Sequence, residues 1–209
     1  MQPFVRQTSV AVALPLINID TDQVLPARFM KQPRTAPAGY APYLFHDLRR
    51  APDGSPAPDF ALNAPANAGA GFIAARRNFG SGSSREAAVY ALVDAGIRCV
   101  MAPSLGDIFA ANAVNNGLVP ARVEEAAMEA LLALLAPGGV EAEVDLETCT
   151  VQVAGRVFGF RIDPVWRLRL LNGWDDIDIT RRYGARVDGW LARDAVARPW
   201  AQLPLAPAG

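Results

Sequence analysis

The sequence predicts a mixed α/β fold, with parallel strands in the middle of the chain and antiparallel ones toward the carboxyl end. Three observations carry that expectation. Short apolar runs bounded by glycine or proline alternate with helical segments between residues 71 and 136. A strand–loop–helix–strand order of this kind calls for parallel pairing. Residues 141–162 then hold two β-type runs split by Ala154 and Gly155, the pattern of a hairpin.

The elements follow in order. Residues 8–17, TSVAVALPLI, read as an early strand, and 18–26, NIDTDQVLP, as a polar loop. Residues 31–68 are rich in proline, alanine and glycine and lack sustained periodicity. They read as a long, mobile excursion around one short amphipathic piece, YLFHDL at 43–48. GFIAAR at 71–76 is a buried strand. Residues 84–96 form a helix with Ala88, Ala91, Leu92 and Ala95 on its apolar face, ending at Gly96. A second buried strand covers 97–103. A helix over 105–117 stops at Gly117, and a third strand spans 118–123. Residues 124–136 make an amphipathic helix closed by Pro137, Gly138 and Gly139. After the hairpin, 163–173 reads as a last helix stopped by Gly173. No internal repeat or coiled coil is visible.

The chain has 209 residues, 51% of them hydrophobic, and a formal charge of -1. That length suits one domain over 1–209 with a sizeable excursion. The balanced charge points away from nucleic acid and from membrane surfaces. The apolar run at 10–17 is too short to span a bilayer and contains Pro15. No basic segment with a cleavage site precedes it, so a cytoplasmic location is expected. Cys99 lies in the apolar run IRCVMA and reads as a small buried hydrophobe. Two distant cysteines and one histidine do not make a four-ligand metal site.

The chemistry concentrates in NFGSGSSRE, residues 78–86. A strand runs into a flexible loop, and a helix follows. The first N–H groups of a helix lack intrahelical partners, and the macrodipole adds partial positive charge there. Gly80 and Gly82 allow close backbone approach to a ligand. Ser81, Ser83 and Ser84 offer hydroxyls, and Arg85 a planar fork for a carboxylate or phosphate. Together they describe an anion site at a helix N-terminus. A second reading of Ser83 stays open: with Glu86 three residues on, it fits a capping box. A dinucleotide fingerprint fits poorly, because Arg85 stands where its third glycine belongs. A Walker A loop fails for lack of Gly-Lys-Ser/Thr.

These residues resemble a known family. NIDTDQVLPARF at 18–29, NFGSGSSRE at 78–86, APSLGDIFAANAVNNGLVP at 102–120 and LLNGWDDIDIT at 170–180 are similar, in that order, to segments of the small subunits of 3-isopropylmalate dehydratases, in the aconitase superfamily. The resemblance implies a swivelling β/β/α domain carried on a separate chain, with a mixed sheet and flanking helices. It implies a hydro-lyase that isomerises 2-isopropylmalate to 3-isopropylmalate, through loss and re-addition of water, in leucine biosynthesis. It also implies a large-subunit partner bearing the [4Fe–4S] cluster, no cofactor on this chain, and a small dicarboxylate substrate. Under the family pattern Ser83 supplies the catalytic base, while Ser84 and Arg85 hold a substrate carboxylate. Asp20, Thr21 and Asp22 would face the same cleft, although an Asx-type turn is an alternative use of the two aspartates.

The chain departs from the family pattern at several points. Ser81 and Ala87 stand where cysteine and histidine are usual, Ala88 and Val89 also differ, and Arg77 replaces a common acidic residue. FMKQPR, the segment after Arg28, lies where the family sets side-chain selectivity. The departures leave two alternatives: a dehydratase for another small hydroxy-acid such as a methylmalate, and a partner-binding module without catalysis.

Overall fold

The computed structural model describes residues 1–35, 37–82 and 85–201. The chain divides into two compact units, Met1–Gly173 and Trp174–Gly209. The first is built on seven strands: β1 (Arg6–Leu14), β2 (Phe72–Ala75), β3 (Cys99–Ala102), β4 (Val119–Val123), β5 (Val140–Asp145), β6 (Thr150–Val153) and β7 (Arg156–Arg161). They close into a barrel in the order β1, β2, β3, β4, β7, β6, β5. Strands β1 to β4 run parallel to one another, with Ala11 opposite Phe72, Phe72 opposite Cys99 and Cys99 opposite Val119. The remaining pairings are antiparallel, including β5 against β1, where Arg6 meets Asp145. The expected parallel middle and antiparallel carboxyl end are both present.

Side-chain alternation explains how the barrel fills. Successive residues of a strand point to opposite faces. Ala11, Phe72, Cys99, Val119, Val144, Val151 and Phe158 fall in one apolar cluster. Every strand contributes to it, so it is the barrel interior. A second cluster takes Val12, Ile73 and Val100 from β1, β2 and β3 only. It lies outside the barrel, beneath α2 (Glu86–Asp94) and α3 (Asp107–Asn115), which supply Val89, Leu92, Phe109 and Ala113. Burial on both faces is why β2 and β3 read as unbroken apolar runs. On β6 and β7 buried residues alternate with more exposed ones, as in a strand with one wet face. A further helix, α4 (Glu125–Leu135), adds Met128, Leu131 and Leu135 to the interior cluster.

Several expectations need correction. The first strand ends at Leu14, one residue before Pro15, not at 17. The polar loop at 18–26 contains a one-turn helix, α1 (Thr21–Val24). The region 141–162 holds three strands, not two. Its extra turn carries no glycine or proline: the Asp145 carboxylate accepts from the Glu147 and Thr148 N–H groups at 2.7 and 3.1 Å, and Cys149 takes a φ of 54°. The excursion at 31–68 carries three 3-10 turns and places Tyr40, Leu44 and Phe45 in the outer core.

Helix α5 (Pro164–Asn172) starts where Asp163 caps the Val165 and Trp166 N–H groups, and Gly173 closes it in the left-handed region. Against the expectation, helix α5 is not the last: the second unit holds α6 (Asp176–Arg181) and α7 (Gly184–Ala197). Asp175 and Asp178 form a capping box at the start of α6.

Candidate active site

Three loops leave the carboxyl ends of β1, β2 and β3, the end of a parallel sheet where ligands bind. The backbone stitches them together. The Gly80 N–H donates to the Ile19 carbonyl at 2.7 Å, and the Thr21 N–H to the Ser81 carbonyl at 3.1 Å. Asp20 and Ser81 thereby form a parallel bridge beyond the strands, and Phe79 and Leu105 form another. The Gly106 N–H donates to the Phe79 carbonyl at 2.9 Å, while the Asn78 N–H reaches the Ser104 carbonyl and hydroxyl at 3.0 and 2.8 Å. The two motifs that lie sixty residues apart in sequence, at 18–29 and 78–86, are thus neighbours.

Two asparagines make the junction possible. Asn18 and Asn78 have φ of 56° and 67°, a region asparagine tolerates better than most residues. Their side chains join, Asn78 Nδ2 to Asn18 Oδ1 at 2.9 Å. Neither was singled out from the sequence. An asparagine at the end of each of two apolar runs is the signal that was available.

The expected site residues divide into two groups. Gly80, Ser81, Gly82, Asp20, Thr21, Asp22 and Arg85 are brought together. Ser83 and Ser84 lie outside the described residues, so the expected Ser83–Glu86 capping box does too. Glu86 itself accepts from Asn116 Nδ2 at 3.0 Å. Asp20 is the N-cap of α1: its carboxylate accepts from the Gln23 N–H at 2.7 Å, and the Gln23 side chain accepts from the Asp20 N–H at 2.9 Å. This is the structural use of Asp20, a capping box. Thr21 is buried at 3% exposure, and its backbone N–H is what bonds the loop after β2. Asp22 is half exposed and faces Arg85.

Arg85 stands at the N-cap of α2, where the helix begins at Glu86. Its guanidinium Nη1 lies 3.7 Å from Asp22 Oδ1 and 3.4 Å from Met30 Sδ. A separation of 3.7 Å is an ion pair but not a hydrogen bond. The planar fork is therefore not filled by a bidentate carboxylate. By contrast, Arg76 at the end of β2 grips Glu129 with two bonds of 2.7 and 2.9 Å. Arg77 pairs loosely with Glu125 at 3.7 Å, and Arg122 with Asp107 at 3.2 Å.

Met30 belongs to a 3-10 turn, Ala27–Lys31, that the excursion holds in place. Phe29 stacks on Tyr43 with ring centroids 4.5 Å apart, and Arg28 Nη1 bonds Asp47 Oδ2 at 2.9 Å. The segment 29–34, FMKQPR, thus reaches Arg85 through Met30. Ala87, where a histidine is usual, is half-buried and packs its methyl against the outer core.

The two cysteines do not make a ligand set. Cys99 lines the barrel, and burial pushes its thiol far above the ordinary range, which disfavours the thiolate a metal needs. Cys149 sits in the β5–β6 turn with Sγ 3.6 Å from the Leu146 carbonyl. Among the described residues no group of three or more His, Cys, Asp or Glu is placed to hold a metal ion.

A family described as the aconitase C-terminal domain matches residues 1–126. A 3-isopropylmalate dehydratase small subunit from Paracoccus denitrificans is 42% identical over 202 residues, 96% of this chain and 100% of that protein. One from Rhodospirillum centenum is 43% identical over 204 residues, covering 96% and 99%. A crystal structure of 3-isopropylmalate dehydratase from Methanocaldococcus jannaschii aligns with a TM-score of 0.61 at 22% identity, over 88% of this chain and 99% of that one. At that identity the likeness speaks for the fold.

Proposed function

The chain belongs to the aconitase C-terminal domain family, among the small subunits of 3-isopropylmalate dehydratase, and we propose that it works as the small subunit of a hydro-lyase that converts 2-isopropylmalate to 3-isopropylmalate in leucine biosynthesis. The reaction removes a proton from the carbon beside one carboxylate and hydroxide from the neighbouring carbon. Water then returns to the intermediate, isopropylmaleate, with the two positions exchanged. A large subunit is the partner, and the substrate is a small dicarboxylate.

In this reading residues 80–85 are the chemistry-bearing loop. Ser83 is the base, and Ser84 and Arg85 hold a substrate carboxylate. Unpaired N–H groups and the Arg85 charge would lower the cost of a developing alkoxide. Asp22 tethers Arg85 from the other motif. Asp20 and Thr21 act by holding the Gly80, Ser81 and Gly82 backbone in place. The excursion at 31–68 closes the substrate side of the cleft and supports the turn that sets Met30 against Arg85, and the whole chain moves as a swivelling domain on its partner. The observation that carries the reading is the junction itself: Thr21 N–H to Ser81 carbonyl at 3.1 Å, with Arg85 beside it and no bidentate carboxylate on its fork among the described residues.

The [4Fe–4S] cluster is assigned to the large subunit, since the buried Cys99 and the turn residue Cys149 do not fit it here. Within the described residues no helix is long and apolar enough to cross a membrane; the complex is placed in the cytoplasm as part of the proposal.

Reconstitution tests the reading. The isolated chain should not turn over 2-isopropylmalate. Anaerobic mixing with a cluster-loaded large subunit should give activity, faster on 2-isopropylmalate than on a methylmalate. Turnover by the isolated chain, or none by the complex, would contradict it.

A further inference from the structure

The excursion carries a second concentration of positive charge that the reaction does not use. Pro42, His46, Arg49, Arg50, Pro56 and Asn63 line a cavity of about 290 Å³. No acidic residue is among them. Arg49 is half-buried and is held in place by neutral acceptors: Nε bonds Asn63 Oδ1 at 2.9 Å and Nη2 the Leu62 carbonyl at 3.4 Å. Arg50 is exposed, and its Nη1 meets the Gly54 carbonyl at 3.1 Å. Among the described residues neither guanidinium forms an ion pair with a carboxylate. Elsewhere in the same unit Arg6, Arg34 and Arg76 each have one.

Two adjacent guanidinium groups at the wall of one cavity repel each other. The cost is greatest for the half-buried one, because low dielectric strengthens the repulsion and removes hydration. Burial and the neighbouring Arg50 charge both make Arg49 a poorer cation than a free arginine. The backbone keeps the pair together: the Ala57 N–H bonds the Arg49 carbonyl at 2.9 Å, and Arg50 bridges Pro56. His46 completes the lining. Its Nδ1 is 3.0 Å from Asp47 Oδ1 and 3.4 Å from Arg28 Nη2, which leaves Nε2 as the ring nitrogen without a hydrogen-bond partner among the described residues. Asp47 is occupied by Arg28 and His46, and Asp53 by Ser55, so neither neutralises the arginines.

We propose that this cavity is an oxyanion site, with Arg49 and Arg50 taking the oxygens of a carboxylate or phosphate and His46 in the same lining. The pair suits an anion with several oxygens: Arg49 Nη1 and Arg50 Nε and Nη2 have no protein partner among the described residues, and charge-assisted bonds to an oxyanion are the strong ones. The site stands apart from the reading of the loop at 80–85. It also has a material connection to it: the His46 ring packs 4.6 Å from Phe29, next in the chain to Met30, which touches Arg85.

His46 is the only histidine in the chain, so its ring-proton resonances are an isolated probe. Full-length protein is titrated at fixed pH and ionic strength with inorganic phosphate and, separately, with succinate. At least one should shift the His46 signals in a saturable way. Saturation by phosphate alone identifies a phosphate-type ligand, and by succinate alone a carboxylate. Arg50→Gln, at an exposed position, should weaken the titrating anion at least tenfold while melting as the wild type does. Arg85→Ala should leave the titration unchanged. No saturable shift with either anion, an unaltered titration in Arg50→Gln, or its loss in Arg85→Ala would each overturn the assignment.

Discussion

Gly106 lies so close to Gly80 that a Cβ on residue 106 would stand 2.4 Å from the Gly80 carbonyl oxygen. Gly80 itself has a φ of 73°, and a Cβ there would meet the Phe109 ring at 2.2 Å. Phe109 is fully buried and packs against Phe79 at 5.3 Å between centroids, so it has little room to yield. The loops after β2 and β3 can meet only because both positions are glycine.

Gly106→Ala should therefore destabilise the chain by roughly 1–3 kcal/mol, the usual range for overpacking. The melting temperature should fall by about 2–4 °C for each kcal/mol. Gly80→Ala should cost more, since it adds backbone strain to the clash. Differential scanning calorimetry on both variants checks the order. A Gly106→Ala protein that melts with the wild type would mean the loops can separate freely.

The excursion has one principal latch on the outer core. Asp94 accepts from Arg34 Nε and Nη2 at 3.0 and 2.7 Å and from the Tyr40 N–H at 2.8 Å. Burial pushes its carboxyl up, but the Arg34 and Tyr40 hydrogen bonds outweigh that and hold it below its ordinary value of 3.8. A depressed folded-state value stabilises the fold above the unfolded value and is lost as pH falls through the folded one. Asp94→Asn should thus cost roughly 1.5–3 kcal/mol at neutral pH, the range for hydrogen bonds to a charged group. The difference from wild type should shrink below about pH 4. Limited proteolysis should cut the variant faster within residues 31–40. Equal cleavage of the two proteins would remove Asp94 as the latch.

Arg85 offers a kinetic test of the carboxylate clamp. Arg85→Ala should raise the substrate KM of the reconstituted complex by roughly 2–5 kcal/mol of lost binding, since a desolvated carboxylate is left unpaired. Arg85→Lys should recover only part, because an ammonium cannot make two parallel bonds. Met30→Ala should matter far less for the fold than for selectivity, read as the ratio of kcat/KM on 2-isopropylmalate and a methylmalate. Full rescue by lysine would argue for a point charge and against the bidentate clamp.

Local signals made much of this legible. The apolar runs at 71–76, 97–103 and 118–123 became β2, β3 and β4 within two residues at either end, and Gly173 stopped α5 as expected. The barrel was not legible, because it depends on β1 pairing with β2 on one side and with β5 more than a hundred residues away on the other. The β5–β6 turn was missed since Asp145 supplies its hydrogen bonds without glycine or proline. The capping box of Asp20 and Gln23 has its usual spacing, but a one-turn helix leaves no apolar period to betray it. In the candidate site, the members were readable from NIDTD and NFGSGSSRE. Their contact was not, because it runs through backbone atoms that carry no sequence signature.

The most direct measurement is steady-state turnover of 2-isopropylmalate by the complex carrying Ser83→Ala, with a melting curve of the same variant. If Ser83 is the base, turnover should fall by about 100-fold or more while the melt and substrate binding stay close to wild type. If Ser83 is only a helix cap, the melt should drop by an amount equivalent to about 1 kcal/mol and turnover should persist. That second result would contradict the assignment of the chemistry to residues 80–85.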